Sequence, residues 1–409
     1  MAPARLTSPF AIALTGLLAL ATAMGIGRFA FTPLLPMMLH DGVVDLQGAS
    51  ALATANYLGY WLGAVACTLQ PLVWRRLGIA TPLNPTTAVR IGLVATVLLT
   101  LLMSAPSPAL WPIARFLAGW ASALVFVYVT GWCLARLSAQ GEASLAGLIY
   151  MGPGLGIAVS GLAASAMVST GLQADLGWAV FAVLALLLTA LAWPQLQGAV
   201  PAAAPATGQG APTGLALGAF TVAYGLSGFG YIVTATFLPV IARQVLPGSV
   251  WLDLFWPLFG LSVALGALLT LRLSAHHDRR HLLVVCYGLQ ALGVMLSVWW
   301  PSLPGFALGS LLLGLPFTAI TLFAMQEARR LRPQDASSFI GLITAAYGLG
   351  QIAGPPMVAW LLGRSETTQQ GFTTSLQIAA SALLLGMFMF GALARRHPLE
   401  RASGSADTA

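Results

Sequence analysis

Twelve apolar runs, each near the length a membrane helix needs, divide this chain and leave it few folds. A hydrocarbon core about 30 Å thick takes about 20 residues of helix. On that measure the spans fall near 10–38, 49–73, 88–104, 110–134, 144–167 and 177–195, then 214–241, 251–273, 282–300, 305–325, 337–362 and 372–394. Composition agrees: 58% of the 409 residues are hydrophobic and 7% are charged, against roughly 25% charged in soluble domains. Lipid offers no partner to backbone N–H and C=O groups, so a spanning run satisfies its own as a helix. The expectation is an all-α membrane protein of twelve transmembrane helices. The first run resembles a secretory signal at its start, with Arg5 ahead of it and Ala21-Thr22-Ala23 inside it. It continues to Met38, too long for a signal, and reads as a retained span.

Between the sixth and seventh runs, Pro201 to Gly210 is Pro, Ala and Gly with no charge, a flexible connection by composition. The expected organisation is a six-helix bundle over 1–195, a cytoplasmic linker over 196–213, a second six-helix bundle over 214–394 and a cytoplasmic tail over 395–409. The halves also repeat. Gly25-x-Gly27 followed by Pro36 matches Gly228-x-Gly230 followed by Pro239, and Gly63-Ala64 matches Gly266-Ala267 at the same offset. Gly147-Leu148-Ile149 and Gly154-Leu155-Gly156 match Gly341-Leu342-Ile343 and Gly348-Leu349-Gly350 at a nearly equal one. Repeats of six spans enter the membrane from the same side and are related by an axis along its normal.

Charge sets the orientation. All 18 basic residues are Arg, and the net charge is +7. They cluster in alternate loops: Arg75, Arg76, Arg136, Arg279, Arg280, Arg329, Arg330, Arg395 and Arg396 fall on one side, Arg243 and Arg364 on the other. This is a topology signal and not a nucleic-acid surface; it puts both termini in the cytoplasm. Trp74, Trp111, Trp193, Trp251 and Trp299-Trp300 fall near span ends, where an aromatic belt is expected. Cys67, Cys133 and Cys286 lie in apolar runs, which excludes a disulfide framework or a metal site. No metal and no cofactor is expected. Without Lys there is no Walker-type phosphate loop, and no catalytic Ser/His/Asp cluster is visible, so an enzyme is not expected.

One charge sits where a span should have none. Arg28 lies inside Met24-Gly25-Ile26-Gly27-Arg28-Phe29-Ala30-Phe31-Thr32-Pro33-Leu34-Leu35-Pro36. An arginine at the centre of a membrane helix costs roughly 2.5–3.5 kcal/mol on insertion scales. It faces a watery cavity or a partner, or else it snorkels to an interface or bonds a carbonyl where helices cross. Gly25 and Gly27 remove bulk beside it, and Pro33 and Pro36 are expected to weaken the backbone ladder beyond it.

Two six-helix repeats with a loose central linker resemble the major facilitator superfamily. Arg115-Phe116-Leu117-Ala118-Gly119 resembles its helix 4 signature, and Gly152-Pro153-Gly154-Leu155-Gly156 its helix 5 glycine signature, common in exporters. The opening GIGRFAFTPLLPMM, with Ala55-Asn56-Tyr57-Leu58-Gly59-Tyr60, is similar to the YbfB/YjiJ branch of bacterial permeases. The loop after helix 2 departs from the superfamily, with Arg75 where an Asp is usual, whereas the second-half copy keeps Asp278-Arg279.

The resemblance implies a solute site near the midplane, between the halves. Its candidates are Arg28, Asn56, Tyr57, Tyr150, Tyr231 and Tyr347, with Tyr60 a helical turn from Tyr57 and Gln351 a turn from Tyr347. The tyrosines also suit packing, and Gln351 equally suits a plain interhelical hydrogen bond. Arg115 and Asp253 are the candidates for proton coupling; Arg115 near a span end also suits snorkelling. Gly25, Gly27, Gly119, Gly152, Pro153 and Gly156 are candidates for conformational roles. Two arginines stand in spans of the first half and no carboxylate stands deep in any; Glu327 is among the acids that fall at loops, span ends or tails. The expected function is therefore a monomeric secondary active transporter, proton-coupled, moving a small organic anion or metabolite by alternating access. Its alternatives are a proton-driven exporter of drugs or other neutral or cationic solutes, and a non-transporting membrane receptor on the same fold. The expected partners are a small-molecule solute, protons and the lipid bilayer.

Overall fold

Helix is the only structure that lets these apolar runs pair their own backbone groups in lipid. In the computed structural model, residues 8–78, 84–198, 214–246, 249, 251–273, 278–332 and 336–396 are described. They form twelve long helices: α1 (Pro9–His40), α2 (Leu46–Arg76), α3 (Pro85–Leu102), α4 (Trp111–Ala139), α5 (Ala146–Ser169), α6 (Ala174–Ala192), α7 (Gly214–Val245), α8 (Phe255–Leu273), α9 (Arg279–Trp299), α10 (Leu303–Leu331), α11 (Ala336–Leu362) and α12 (Thr368–Arg396). Each expected span overlaps one of them. Several helices run further than their apolar stretch, to Arg76, Leu331 and Arg396, because the backbone ladder continues into a zone where arginine stays hydrated. Ser8, Asn84, Asp278 and Ser302 cap helix starts, each accepting a backbone N–H of the first turn. Residues 199–213 of the expected linker and 397–409 of the expected tail lie outside the described residues.

Ten of these helices are long and apolar enough to cross a membrane. The other two, α2 and α11, carry Asn56, Tyr57, Tyr60 and Trp61, and Tyr347 and Gln351. These polar and aromatic residues face protein, as the site below shows. Large apolar side chains such as Leu98, Leu187, Val285 and Phe388 are exposed on the outside, the arrangement a hydrocarbon solvent favours.

The helices of each half pack on one another. In the first, α4 packs on α2, α3 and α1, and α1 on α5 and α6; in the second, α7 packs on α11 and α12, and α9 and α8 on α10. The halves meet through α5 on α8, α2 on α11 and α1 on α7. Of the ten apolar helices, α1 and α7 are the most enclosed: 72% and 83% of their most apolar stretch is buried, against 33% to 61% in the other eight. They line the axis between the halves. Thr32 and Ala235, equivalent positions of the two repeats, touch there: Thr32 Oγ1 donates to the Ala235 carbonyl at 2.9 Å. A residue that bonds its own repeat mate lies on the pseudo-twofold axis.

Two readings at span ends need correction. Trp111 is not part of an exposed belt; it is 7% exposed and donates from Nε1 to the Ala105 carbonyl at 3.2 Å. Trp193, Trp251, Trp299 and Trp300 are exposed as a belt requires. Glu327, near the end of α10, is 1% exposed. It accepts from Arg330 at 2.5 and 2.9 Å and stands 3.7 Å from Arg280, which is bonded in turn to Asp278. The cations bring this carboxylate inside.

Candidate functional site

The site begins with a break in α1. The segment is α-helical over Pro9–Leu20, π-helical over Ala21–Ile26, and turns through residues 27–30 before resuming at Phe31–His40. Gly27 N bonds to Thr22 O at 2.9 Å and Phe29 N to Met24 O at 3.1 Å, each across five residues. Such π segments shift the ladder and free carbonyls. The break lies upstream of Pro33 and Pro36, contrary to the sequence expectation. Pro33 stands in the first turn of the resumed helix, where a missing N–H costs nothing.

Donors on α4 receive the freed carbonyls. Arg115 Nη1 donates to Gly27 O at 3.4 Å and Nη2 to Arg28 O at 3.2 Å, and Ser122 Oγ donates to Ala23 O at 2.7 Å. Arg115 is 2% exposed, with its guanidinium 4.9 Å from the Phe31 ring centre. Asn56 Nδ2 of α2 donates to the Arg115 carbonyl at 2.9 Å, and a Cβ on Gly119 would strike the Asn56 carbonyl. On the other side of α1, a Cβ on Gly25 would strike the Gly156 backbone, and one on Gly152 the Leu17 carbonyl. These small residues let α1 lie against α5 through backbone alone.

The break aims Arg28 across the axis. The guanidinium is 3% exposed; Nη2 donates to Gln351 Oε1 of α11 at 2.5 Å, and Nε is buried without a hydrogen-bond partner. Its carbon lies 4.0 Å from the Tyr60 ring centre, 5.4 Å from Tyr57 and 5.3 Å from Phe29. Each desolvated cation–π contact contributes about 0.5–2 kcal/mol, and a hydrogen bond to a charged group about 1.5–3. Together they offset the cost of burial.

The bridge continues into the second half. Gln351 Nε2 donates to the Tyr231 hydroxyl, so Arg28 and its repeat mate Tyr231 share one glutamine. Tyr57 Oη pairs with Thr236 Oγ1 at 2.8 Å, and Trp61 Nε1 donates to the Ala345 carbonyl at 2.9 Å. Behind Tyr231 the rings pile up: Tyr347 stacks on Tyr231 at 5.9 Å and on Tyr224 at 4.8 Å, and Phe317 sets its edge to Tyr231 at 5.0 Å.

Of the residues expected in a solute site, the structure gathers Arg28, Tyr57, Tyr231 and Tyr347, with Tyr60 and Gln351. Asn56 faces the α2–α4 contact instead. Tyr150 lies beside Thr130 and Arg329, apart from this cluster. Asp253, just before α8, is paired with Arg243 at the end of α7. Sequence reasoning did not single out Trp61, Tyr224, Thr236 or Phe317. The signal for Trp61 was its place next to Tyr60; Thr236 has none, being an ordinary threonine in an apolar run. Among the described residues no group of three His, Cys, Asp or Glu side chains is placed to hold a metal.

The family model described as the uncharacterised MFS-type transporter YbfB matches residues 20–390. The chain belongs to this YbfB-type family of major facilitator transporters. It is thus a multi-pass membrane protein of a transporter family, with a small-molecule solute. Curated proteins give no match to the sequence. Among solved structures, the fold is similar to a point mutant of the nucleoside transporter NupG, with TM-score 0.71, 16% identity, and 94% of this chain and 99% of that one covered. It is also similar to a bacterial homologue of the human lysosomal transporter Spinster, inward-facing and unoccupied, with TM-score 0.67, 12% identity, and 95% and 98% covered. These likenesses concern the fold alone.

In this YbfB-type chain the two lateral contacts between the halves are repeat equivalents built differently. Trp61 of α2 rests on Gly348 of α11, and the equivalent pair is Ala264 of α8 against Gly154 of α5. The second is backbone against backbone, with Gly260 also in the contact. The first is wedged by an indole that reaches the Ala345 carbonyl.

Proposed function

We propose that this chain is a secondary active transporter that carries a small organic anion across the bacterial inner membrane by alternating access. The observation that supports this reading is the state of Arg28. Its Nε and Nη2 form one edge of the guanidinium, the edge that binds a carboxylate through two parallel hydrogen bonds. Gln351 offers that edge a single neutral oxygen and leaves Nε unpaired. Among the described residues no carboxylate lies within ion-pair distance of Arg28. Arginine does not deprotonate to escape burial. A solute carboxylate or phosphate supplies both acceptors and the missing charge.

The mechanism follows from the bridge. An anion on Arg28 displaces Gln351, and with it a bond that holds the halves together. The halves then rock about the axis where Thr32 meets Ala235, as repeats related by an axis along the membrane normal do. Arg115 fixes the broken α1 and so the direction in which Arg28 points. The arginine bias puts both termini and the connection between the halves in the cytoplasm. Protons drive accumulation, with Asp253 as the titrating group through its pair with Arg243, and the unit acts as a monomer. The glycine signature of α5 favours export, which concerns direction and not charge.

Reconstitution in liposomes tests this. Small carboxylates are expected to accumulate under a pH gradient, at rates reduced by Arg28→Lys and abolished by Arg28→Ala. Asp253→Asn is expected to spare binding and end gradient-driven accumulation. Accumulation of lipophilic cations, unchanged by Arg28→Ala, overturns the reading.

A further inference from the structure

We infer that the solute is a monoanion with a flat aromatic body, recognised by both halves at once. This rests on the anion reading above and narrows it. The charge comes from counting cations the solute can reach. Of the two arginines buried in the first half, Arg115 holds the Gly27 and Arg28 carbonyls with both terminal nitrogens and keeps a lone Nε, with no second donor beside it to complete a carboxylate pair. Of these two, Arg28 is the one hydrogen-bonded to the second half, through Nη2 to Gln351, with Nε unpaired on the same guanidinium edge. One guanidinium edge takes one carboxylate; a second negative charge there is desolvated with no partner.

The flat body comes from what surrounds that edge. Gln351, the group that an anion displaces, is bonded to the Tyr231 hydroxyl. A solute that takes its place meets the Tyr231 hydroxyl and extends along the rim of that ring. That ring is the first of three near-parallel ones: the Tyr231–Tyr347 planes meet at 19° and the Tyr347–Tyr224 planes at 27°. The wider step, 5.9 Å between centres against 4.8 Å, is the one next to Arg28's bridge. Phe317 closes the side with its edge. Aromatic partners gain from offset or edge-to-face geometry beyond what burial gives, about threefold to tenfold for each pair. A saturated ring of the same size buries the same area without that gain. The anion is held from α1 and the ring from α7 and α11, so the solute replaces the Gln351 bridge with one of its own.

Binding to the purified full-length protein in detergent tests the inference with four probes: benzoate, cyclohexanecarboxylate, phthalate and benzamide. Benzoate is expected to bind about tenfold or more tightly than cyclohexanecarboxylate, with phthalate weaker than benzoate and benzamide silent. Tyr347→Leu is expected to reduce the preference for benzoate over cyclohexanecarboxylate by about threefold or more, since Tyr231 and Phe317 remain, and Tyr347→Phe to keep it. Equal binding of benzoate and cyclohexanecarboxylate to the wild type overturns the flat-body inference and leaves the anion reading standing. Phthalate binding as tightly as benzoate overturns the single charge. Benzamide binding as well as benzoate overturns the anion reading beneath it, and failure of both monocarboxylates to bind overturns the inference. Should Tyr347→Leu not fold, the wild-type ratio and Tyr347→Phe decide.

Discussion

Gln351→Glu puts a tethered carboxylate where the proposed solute anion binds. Gln351 Oε1 already stands 2.5 Å from Arg28 Nη2, so the substitution keeps that contact. The new oxygen replaces Nε2, which now donates to the Tyr231 hydroxyl, and a turn of the carboxylate brings it to Nε, which has no partner now. A hydrogen bond to a charged group contributes about 1.5–3 kcal/mol, and Arg28 is already desolvated. The bridged state is thus favoured by about tenfold to 150-fold over a state in which a solute holds Arg28. The variant is expected to melt higher than wild type near neutral pH and to lose solute affinity by that factor. Protonation of the introduced carboxylate returns the neutral bridge, so affinity is expected to recover as the pH falls. Thermal unfolding and equilibrium binding across pH measure both. A Gln351→Glu variant that melts lower and binds anions like wild type would refute the reasoning, because Gln351 would then not occupy the anion's place.

Other substitutions test the scaffold. Arg115→Gln removes both guanidinium bonds to α1; each buried carbonyl left unpaired costs about 1–3 kcal/mol. A fall in melting temperature together with weaker anion binding is expected, whereas normal stability with altered pH dependence would make Arg115 a coupling residue. Gly156→Ala brings a methyl to 2.8 Å from Gly25 Cα; overpacking of this kind costs about 1–3 kcal/mol, and a protein as stable as wild type would show that α1 and α5 part easily. Asp278, ahead of α9, titrates below its ordinary 3.8: burial pushes it up, but the hydrogen bonds and charge of Arg280 outweigh that. A depressed carboxylate stabilises above its unfolded value, and the effect is lost as pH falls through the folded one. Asp278→Asn is therefore expected to lower stability at neutral pH and to converge with wild type in acid; a constant deficit at all pH would point to lost packing.

The twelve helices were legible because bilayer thickness and backbone pairing leave a run of about 20 apolar residues little choice. The repeat offset was informative beyond topology: of the positions it equates, Thr32 bonds Ala235 directly, and Arg28 and Tyr231 are joined through Gln351. Arg28 announced itself by its cost in lipid. The break in α1 was placed too late, at the prolines, because Ala21–Ile26 is compatible with an ordinary helix. Donors on α4 decide it, and tertiary donors leave no local mark on α1. Glu327 was read as a span-end residue because its partners Arg280 and Arg330 also read as interfacial, and only packing shows that they enclose it. Gln351 carried a signal in its spacing from Tyr347, but spacing on one helix says nothing of what stands opposite.

The central claim is that Arg28 is the charge that recognises the solute. A thermal-shift screen of purified wild type and Arg28→Ala against small anions, neutral solutes and lipophilic cations tests it most directly. Anions alone are expected to raise the melting temperature of the wild type, and none to shift the Ala variant. Cations that shift both proteins equally, with anions silent, would contradict it and make Arg28 a structural tie between the halves.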